Sequence, residues 1–451
     1  MKKSLLLRGA ISLATGSFLV KVLGVIYRIP LTNLLGGVGL GLYQMIFPVY
    51  TLLLDFAGAG IPSAISKIVG EEDASIRQKI GVAYLKSALK RLSVIGAVGC
   101  LIMITLCYPI SVLQGNSGSV LGYIMLAPSV FIVSLISCFR GYFQGQMQMN
   151  PTSISQVVEQ GVKLVLGIIL VKAFMPNVNL AVGGATLAVT ISEVVALIYL
   201  WVLYKKSVKG LKNEEEIVLS KPQTKKLFRI AVPITLLGIL LPLSHFIDSF
   251  LIVNLLKHYR ADATSLYGLL SGVVHTVIGL PIGLCYAVAV VSIPTVSAET
   301  DLEQKKQRIG QAVFLTGIVS FVFAGLTYLF ADPIINTLFR SLSVEEKTVA
   351  VNLLRLTSPV VLLLSVLQTT NSCLVGLGKT YLPLFSLGGG IVVKTLISLF
   401  LIPNERFNIY GGSIALIACY FFAVMVNFIV LLKVGEKNAD KAYKGRKCQT
   451  F

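Results

Sequence analysis

Residues 181–229 read AVGGATLAVTISEVVALIYLWVLYKKSVKGLKNEEEIVLSKPQTKKLFR. The first 24 of these, to Tyr204, form an apolar block whose one formal charge is Glu193. The remainder, Lys205 to Arg229, is polar and carries eight Lys/Arg, with Glu214, Glu215 and Glu216 at its centre. A block of about 20 apolar residues is what an α-helix needs to cross a hydrocarbon core of about 30 Å. The same alternation repeats along the chain. Of its 451 residues 55% are hydrophobic and only 13% charged, against about 25% charged in an ordinary soluble domain. Too few polar side chains are present to cover a water-facing surface of this size. The composition excludes a soluble enzyme, a secreted disulfide scaffold and a disordered chain. It predicts an all-α polytopic membrane protein, because helices satisfy their own backbone groups in lipid.

Twelve helices are expected, over 11–29, 41–65, 82–109, 120–142, 154–174, 181–204, 229–256, 266–296, 311–331, 349–371, 383–402 and 411–433. Several exceed the bilayer thickness, which predicts tilt, bends or extension beyond it. Lys2, Lys3 and Arg8 resemble the start of a signal peptide, but Lys21 interrupts the apolar run and no small-residue cleavage site follows. The segment reads as a retained first helix. With both tails and the even-to-odd loops inside, 28 of the 39 Lys/Arg are cytoplasmic and six are on the opposite face. The positive-inside rule then predicts a cell-membrane protein with both termini cytoplasmic. Anionic lipid and topology account for the net charge of +19, so no nucleic-acid partner is expected. The seven cysteines, mostly in apolar segments, form no C-x-x-C pair and read as packing residues.

The polar stretch at 205–229 divides the chain into six helices and six helices. Weak self-similarity supports two parallel repeats. Gly41-Leu42-Tyr43-Gln44 parallels Ser265-Leu266-Tyr267-Gly268, and Ile61-Pro62 parallels Ile293-Pro294. Ala127-Pro128 followed by Arg140-Gly141-Tyr142-Phe143-Gln144-Gly145 parallels Ser358-Pro359 followed by Asn371-Ser372-Cys373-Leu374-Val375-Gly376. The expected organisation is an N-terminal bundle at 1–210, a cytoplasmic linker at 211–228, a C-terminal bundle at 229–435 and a basic tail at 436–451. Two such bundles suit alternating access.

Charge inside a span costs about 2.5–3.5 kcal/mol at mid-helix on insertion scales, so each instance needs a reason. Lys21 and Arg28 lie seven apart on roughly one face of helix 1. Glu159 and Lys163 are spaced i,i+4 on helix 5 and can neutralise one another. With His275 of helix 8, these four are the candidate substrate-binding residues. A guanidinium presents a planar fork of donors suited to phosphate. Snorkelling of Lys21 and Arg28, a structural ion pair and a neutral packing histidine are the bland alternatives. Asp248 is a candidate ion-coupling carboxylate, and Asp55 and Glu193 are further acids within spans. Arg140 and Gln144, at a helix end, are candidate gate or loop residues. No P-loop, HExxH or ATPase motif is present. The expectation is a non-enzyme with no bound cofactor and no metal, coupled to H+, Na+ or membrane potential.

The run Leu23-Gly24-Val25-Ile26-Tyr27-Arg28-Ile29-Pro30, then Gly39-Leu40-Gly41-Leu42-Tyr43-Gln44, Ala59-Gly60-Ile61-Pro62-Ser63-Ala64-Ile65-Ser66-Lys67, Arg140 to Gly145, Asn150-Pro151-Thr152 and Glu159-Gln160 resembles a known family. So do Ile247-Asp248, Leu266-Tyr267-Gly268 and Ile293-Pro294 in the second half. The chain resembles the stage V sporulation protein B group of the polysaccharide transporter family. That family lies in the multidrug/oligosaccharidyl-lipid/polysaccharide flippase superfamily. The resemblance implies a V-shaped pair of six-helix bundles. It also implies flipping of an undecaprenyl-pyrophosphate-linked saccharide, lipid II or a related peptidoglycan precursor, from the inner to the outer leaflet, in sporulation or cell-wall synthesis. It implies a cationic cavity to which Arg28 corresponds by position. Relatives often carry an acid after that arginine, where this chain has Ile29, and many have 14 helices. The implied partners are a polyprenyl-linked saccharide, membrane lipids and cell-wall synthesis proteins. A cation-coupled exporter of small amphipathic compounds and a non-transporting scaffold for wall assembly are the competing readings.

Overall fold

The computed structural model describes residues 2–58, 60–73, 76–209, 220–299, 301–379 and 381–447. Most of the expected linker, with Glu214 to Glu216, lies outside them, as does Cys448 at the end of the basic tail. The described elements are all helical. They are α1 (Lys2–Gly58), α2 (Ile61–Gly70), α3 (Arg77–Leu113), α4 (Val120–Gly145), α5 (Asn150–Phe174), α6 (Val178–Ser207), α7 (Lys221–Lys257) and α8 (Ala263–Gly268). After a π-helical turn at Leu269–Val274 come α9 (His275–Ala298), α10 (Leu302–Leu329), α11 (Ala331–Leu338), α12 (Val344–Thr357), α13 (Pro359–Gly376), α14 (Leu382–Leu401) and α15 (Tyr410–Lys447). The last helix runs into the region expected to be a tail.

Ten helical segments among the described residues are long and apolar enough to cross a membrane, against the twelve expected. The difference has physical causes. The first two expected helices form one apolar stretch, Leu19–Gly70, of 52 residues. At about 1.5 Å per residue it is more than twice the thickness of a bilayer core. It is broken at Gly36, whose φ of 64° and ψ of −173° lie in a region open essentially to glycine alone. The helix expected at 154–174 is present as α5 but is not among the ten. The tenth expected helix is divided before Pro359, which cannot supply an amide to the preceding turn, and its second part, Pro359–Gly376, remains one of the ten.

The chain forms two compact units, Met1–Lys257 with Ala261–Gly272, and His258–Arg260 with Val273–Phe451. In the first, α2, α3, α4, α6 and α7 enclose a core that includes Ile65, Leu85, Leu92, Ile136, Phe139, Tyr142, Leu200 and Leu227. Tyr142 packs edge-on against Phe143 and Tyr204, and its hydroxyl is 3.2 Å from Ser207 Oγ. Helix α1 crosses α8 backbone to backbone. A Cβ on Gly41 would fall onto the Thr264 carbonyl oxygen, so no larger residue fits there without moving α8. This is the small-residue contact by which membrane helices approach closely. In the second unit, Thr316 and Thr369 hydroxyls are 3.0 Å apart, and Asn427 donates to Thr370 Oγ1 at 3.0 Å and Asn371 Oδ1 at 2.7 Å. Both units turn large apolar side chains outward, among them Val94 and Leu101 on α3 and Phe314 and Phe321 on α10, each more than 60% exposed. In water such faces would aggregate, whereas lipid tails solvate them.

Candidate functional site

The polar side chains of the first unit gather where α1, α4, α5 and α6 meet. Arg28 and Gln44 come from the two parts of α1 that Gly36 separates. Arg28 is half-buried and donates from Nη2 to Gln44 Oε1 at 3.3 Å. Gln44 donates in turn from Nε2 to the Ser271 carbonyl in the π turn. A π turn spaces its backbone bonds more widely than an α-helix, and such turns are frequent at functional sites. The Gln44 amide therefore ties the guanidinium of Arg28 to an irregular backbone segment.

The neighbouring part of the site is built from α5. Glu159 does not pair with Lys163, the i,i+4 partner its spacing offers. Its carboxylate Oε2 takes Nη2 of Arg140 on α4 at 2.9 Å, while Arg140 Nε donates to Ser155 Oγ at 3.1 Å. One turn further, the Lys163 ammonium sits 5.3 Å from the ring centre of Tyr27 and 5.4 Å from that of Phe47, both on α1. Ring quadrupoles attract a cation at this range. Gln156 Oε1 and Tyr27 Oη are buried beside this group without hydrogen-bond partners. On α6, Glu193 is buried and accepts a hydrogen bond from the Tyr50 hydroxyl of α1.

The remaining expected site residues are placed as follows. Lys21 is exposed on α1. Gln144 is half-buried near the end of α4. Asp248 is buried on α7 within the first unit. His275 opens α9 and belongs to the second unit. Arg140, a candidate gate or loop residue, bonds Glu159 and Ser155 and so clasps α4 to α5. Gln44, part of the Gly41–Gln44 motif, Glu193, an acid within a span, and Tyr50 join the expected residues here. The signal for Glu193 was there, since it is the one formal charge in the block 181–204. Among the described residues no group of three His, Cys, Asp or Glu is arranged to hold a metal.

The fold and this arrangement can be compared with known proteins. The family model "Polysaccharide biosynthesis protein" matches residues 6–299, and the MatE model matches residues 233–400. The chain is similar to the lipid II flippase MurJ of Bacillus subtilis (strain 168), with 26% identity covering 98% of this chain and 84% of the flippase. It is similar to the stage V sporulation protein B of the same organism at 25% identity, covering 96% and 85% respectively. Among solved structures, an inward-facing multidrug resistance MATE family transporter of the MOP superfamily superposes with a TM-score of 0.75 at 17% identity, over 93% of this chain and 95% of that one. Together with the apolar helices, these matches describe a multi-pass membrane protein with the fold of these transporters. The chain thus belongs to the polysaccharide biosynthesis protein family, whose model covers residues 6–299.

Proposed function

We propose that the protein is an alternating-access flippase for an undecaprenyl-pyrophosphate-linked saccharide, lipid II or a related peptidoglycan precursor, moved from the inner to the outer leaflet. The observation that carries this reading is the pairing of Arg28 and Lys163 with polar and aromatic neighbours inside an otherwise apolar bundle. A guanidinium and an ammonium at membrane depth suit a pyrophosphate, which needs charge-assisted donors once its water is removed. The two Bacillus subtilis relatives, matched over nearly the whole chain, support the same substrate class. In this reading Arg28 and Lys163 meet the headgroup, and Lys21 and His275 are further candidate contacts. The Arg140–Glu159 pair holds α4 and α5 in place, Gln144 lies near the end of the same route, and Asp248 belongs to ion coupling. The chain crosses the membrane twelve times with both termini cytoplasmic. The Gly36 break separates the first two crossings and α5 supplies another. The bundles at 1–210 and 229–435 are its repeats. Cell-wall synthesis proteins are its proposed partners.

The test is movement of labelled lipid II in proteoliposomes, with a short-chain phospholipid as control and an ion gradient and membrane potential supplied. Selective movement is expected, and Arg28→Ala is expected to slow it without loss of membrane insertion. Wild-type rates in Arg28→Ala would contradict its role.

A second reading is a cation-coupled exporter of small amphipathic compounds. The MatE match over 233–400 and the likeness to a MATE transporter support it, and the fold comparisons lend it more support than they lend the first. The buried carboxyls of Glu193 and Asp248 suit a cationic substrate or a coupling cation. A binding screen of lipophilic cations against lipid II separates the two readings.

A further inference from the structure

Glu193 is used by neither the clasp nor the cationic pair. Its carboxyl lies on α6, 2% exposed, against α1 and α4. Tyr50 donates to Oε1, and Oε2 is buried with no hydrogen-bond partner. The Ser129 hydroxyl of α4 lies within reach of the carboxyl as a further donor, 3.2 Å from that of Thr190, which itself donates to the Met125 carbonyl at 2.7 Å. An ionised carboxylate here would have two hydroxyls at most to hold it, in a low-dielectric interior beside the Glu159 carboxylate. That costs more than leaving a neutral oxygen unbonded.

Helix α5 presents Glu159 and Lys163, both of which act on Glu193 electrostatically. Helix α4 presents Arg140, whose charge is taken by Glu159. Helix α1 presents the Tyr50 hydroxyl. Lys163 is thus the cation left to answer an ionised Glu193, and in this structure it rests on the rings of Tyr27 and Phe47.

We propose that Glu193 is a proton-carrying group of this transporter, held as the neutral acid with its proton on Oε2 and exchanged during the transport cycle. On release, the Oε2–H bond breaks and the proton passes to water. The carboxylate keeps the Tyr50 hydrogen bond, and the Lys163 ammonium balances its charge. Reprotonation from water on the other side restores the acid. An anionic headgroup at Lys163 and an ionised Glu193 compete for one ammonium, so substrate and proton bind together by linkage. This last step rests on the flippase reading, whereas the proton site does not.

The experiment is pH-dependent infrared difference spectroscopy of the full chain in lipid bilayers, with no substrate present. Wild type is expected to show a protonated carboxylic C=O band that Glu193→Gln lacks. Tyr50→Phe is expected to keep the band and raise its frequency, because the hydrogen bond to Oε1 is gone. Identical wild-type and Glu193→Gln spectra would overturn the proposal. If Glu193→Gln fails to fold, an unshifted band in Tyr50→Phe would overturn it equally. In proteoliposomes, lipid II movement in Glu193→Gln should no longer respond to a pH gradient, and a wild-type response would refute coupling. If wild type moves no lipid II, the substrate assignment fails and the infrared arm decides the proton site.

Discussion

Neutralising both ends of the Arg140–Glu159 pair should cost less than the sum of neutralising each. The pair is 2.9 Å long, with side chains 16% and 21% exposed. A fully exposed pair contributes about 0–1 kcal/mol. Removing one partner of a buried pair costs about 3–5 kcal/mol, because the other charge is stranded. One-fifth exposure places this pair between the two, so a coupling of about 2 kcal/mol is expected, or roughly 30-fold in the unfolding constant. Arg140 keeps its bond to Ser155 when Glu159 is neutralised, so Glu159→Gln should be milder than Arg140→Met. The assay is a double-mutant cycle of unfolding in detergent micelles, with Arg140→Met, Glu159→Gln and the double variant. A coupling below about 0.5 kcal/mol would refute the clasp, since that is the scatter between independent sites. The exchange Arg140→Glu with Glu159→Arg should recover both stability and transport. Recovery of stability alone would mean that Glu159 meets the substrate directly.

Three further substitutions test the surroundings of the site. Gly41→Val should lower stability by about 1–3 kcal/mol through overpacking against the Thr264 carbonyl, read as a lower thermal midpoint, with Gly41→Ala smaller in effect. Gln44→Leu removes the acceptor of Arg28 and the donor to Ser271, a loss of about 1–3 kcal/mol, and should speed hydrogen exchange at 269–274 more than in α3. Gly36→Ala should cost about 1–3 kcal/mol, because its backbone angles are closed to alanine, and a thermal melt matching wild type would show that the break is not held there.

The all-helical membrane class, the apolar blocks and the charges that interrupt them were legible in the sequence. Each depends on a residue's own transfer free energy between water and lipid, and that quantity is additive along the chain. The family was legible too, from ordered motifs such as Arg140 to Gly145, and the match over residues 6–299 bears it out. The number of apolar spans was less so, because the first two expected helices run on as one apolar stretch, Leu19–Gly70, whose division rests on the backbone at Gly36. Pairing was not legible at all. Spacing offered Lys163 as the partner of Glu159, but an i,i+4 ion pair contributes only about 0.2–0.5 kcal/mol. A guanidinium arriving from α4, with Ser155 to accept from its Nε, binds the carboxylate more strongly. Lys163 was then left to the rings of Tyr27 and Phe47, and Glu193 met Tyr50 from 143 residues away. Which charges face one another depends on which helices lie side by side, and only packing in three dimensions decides that.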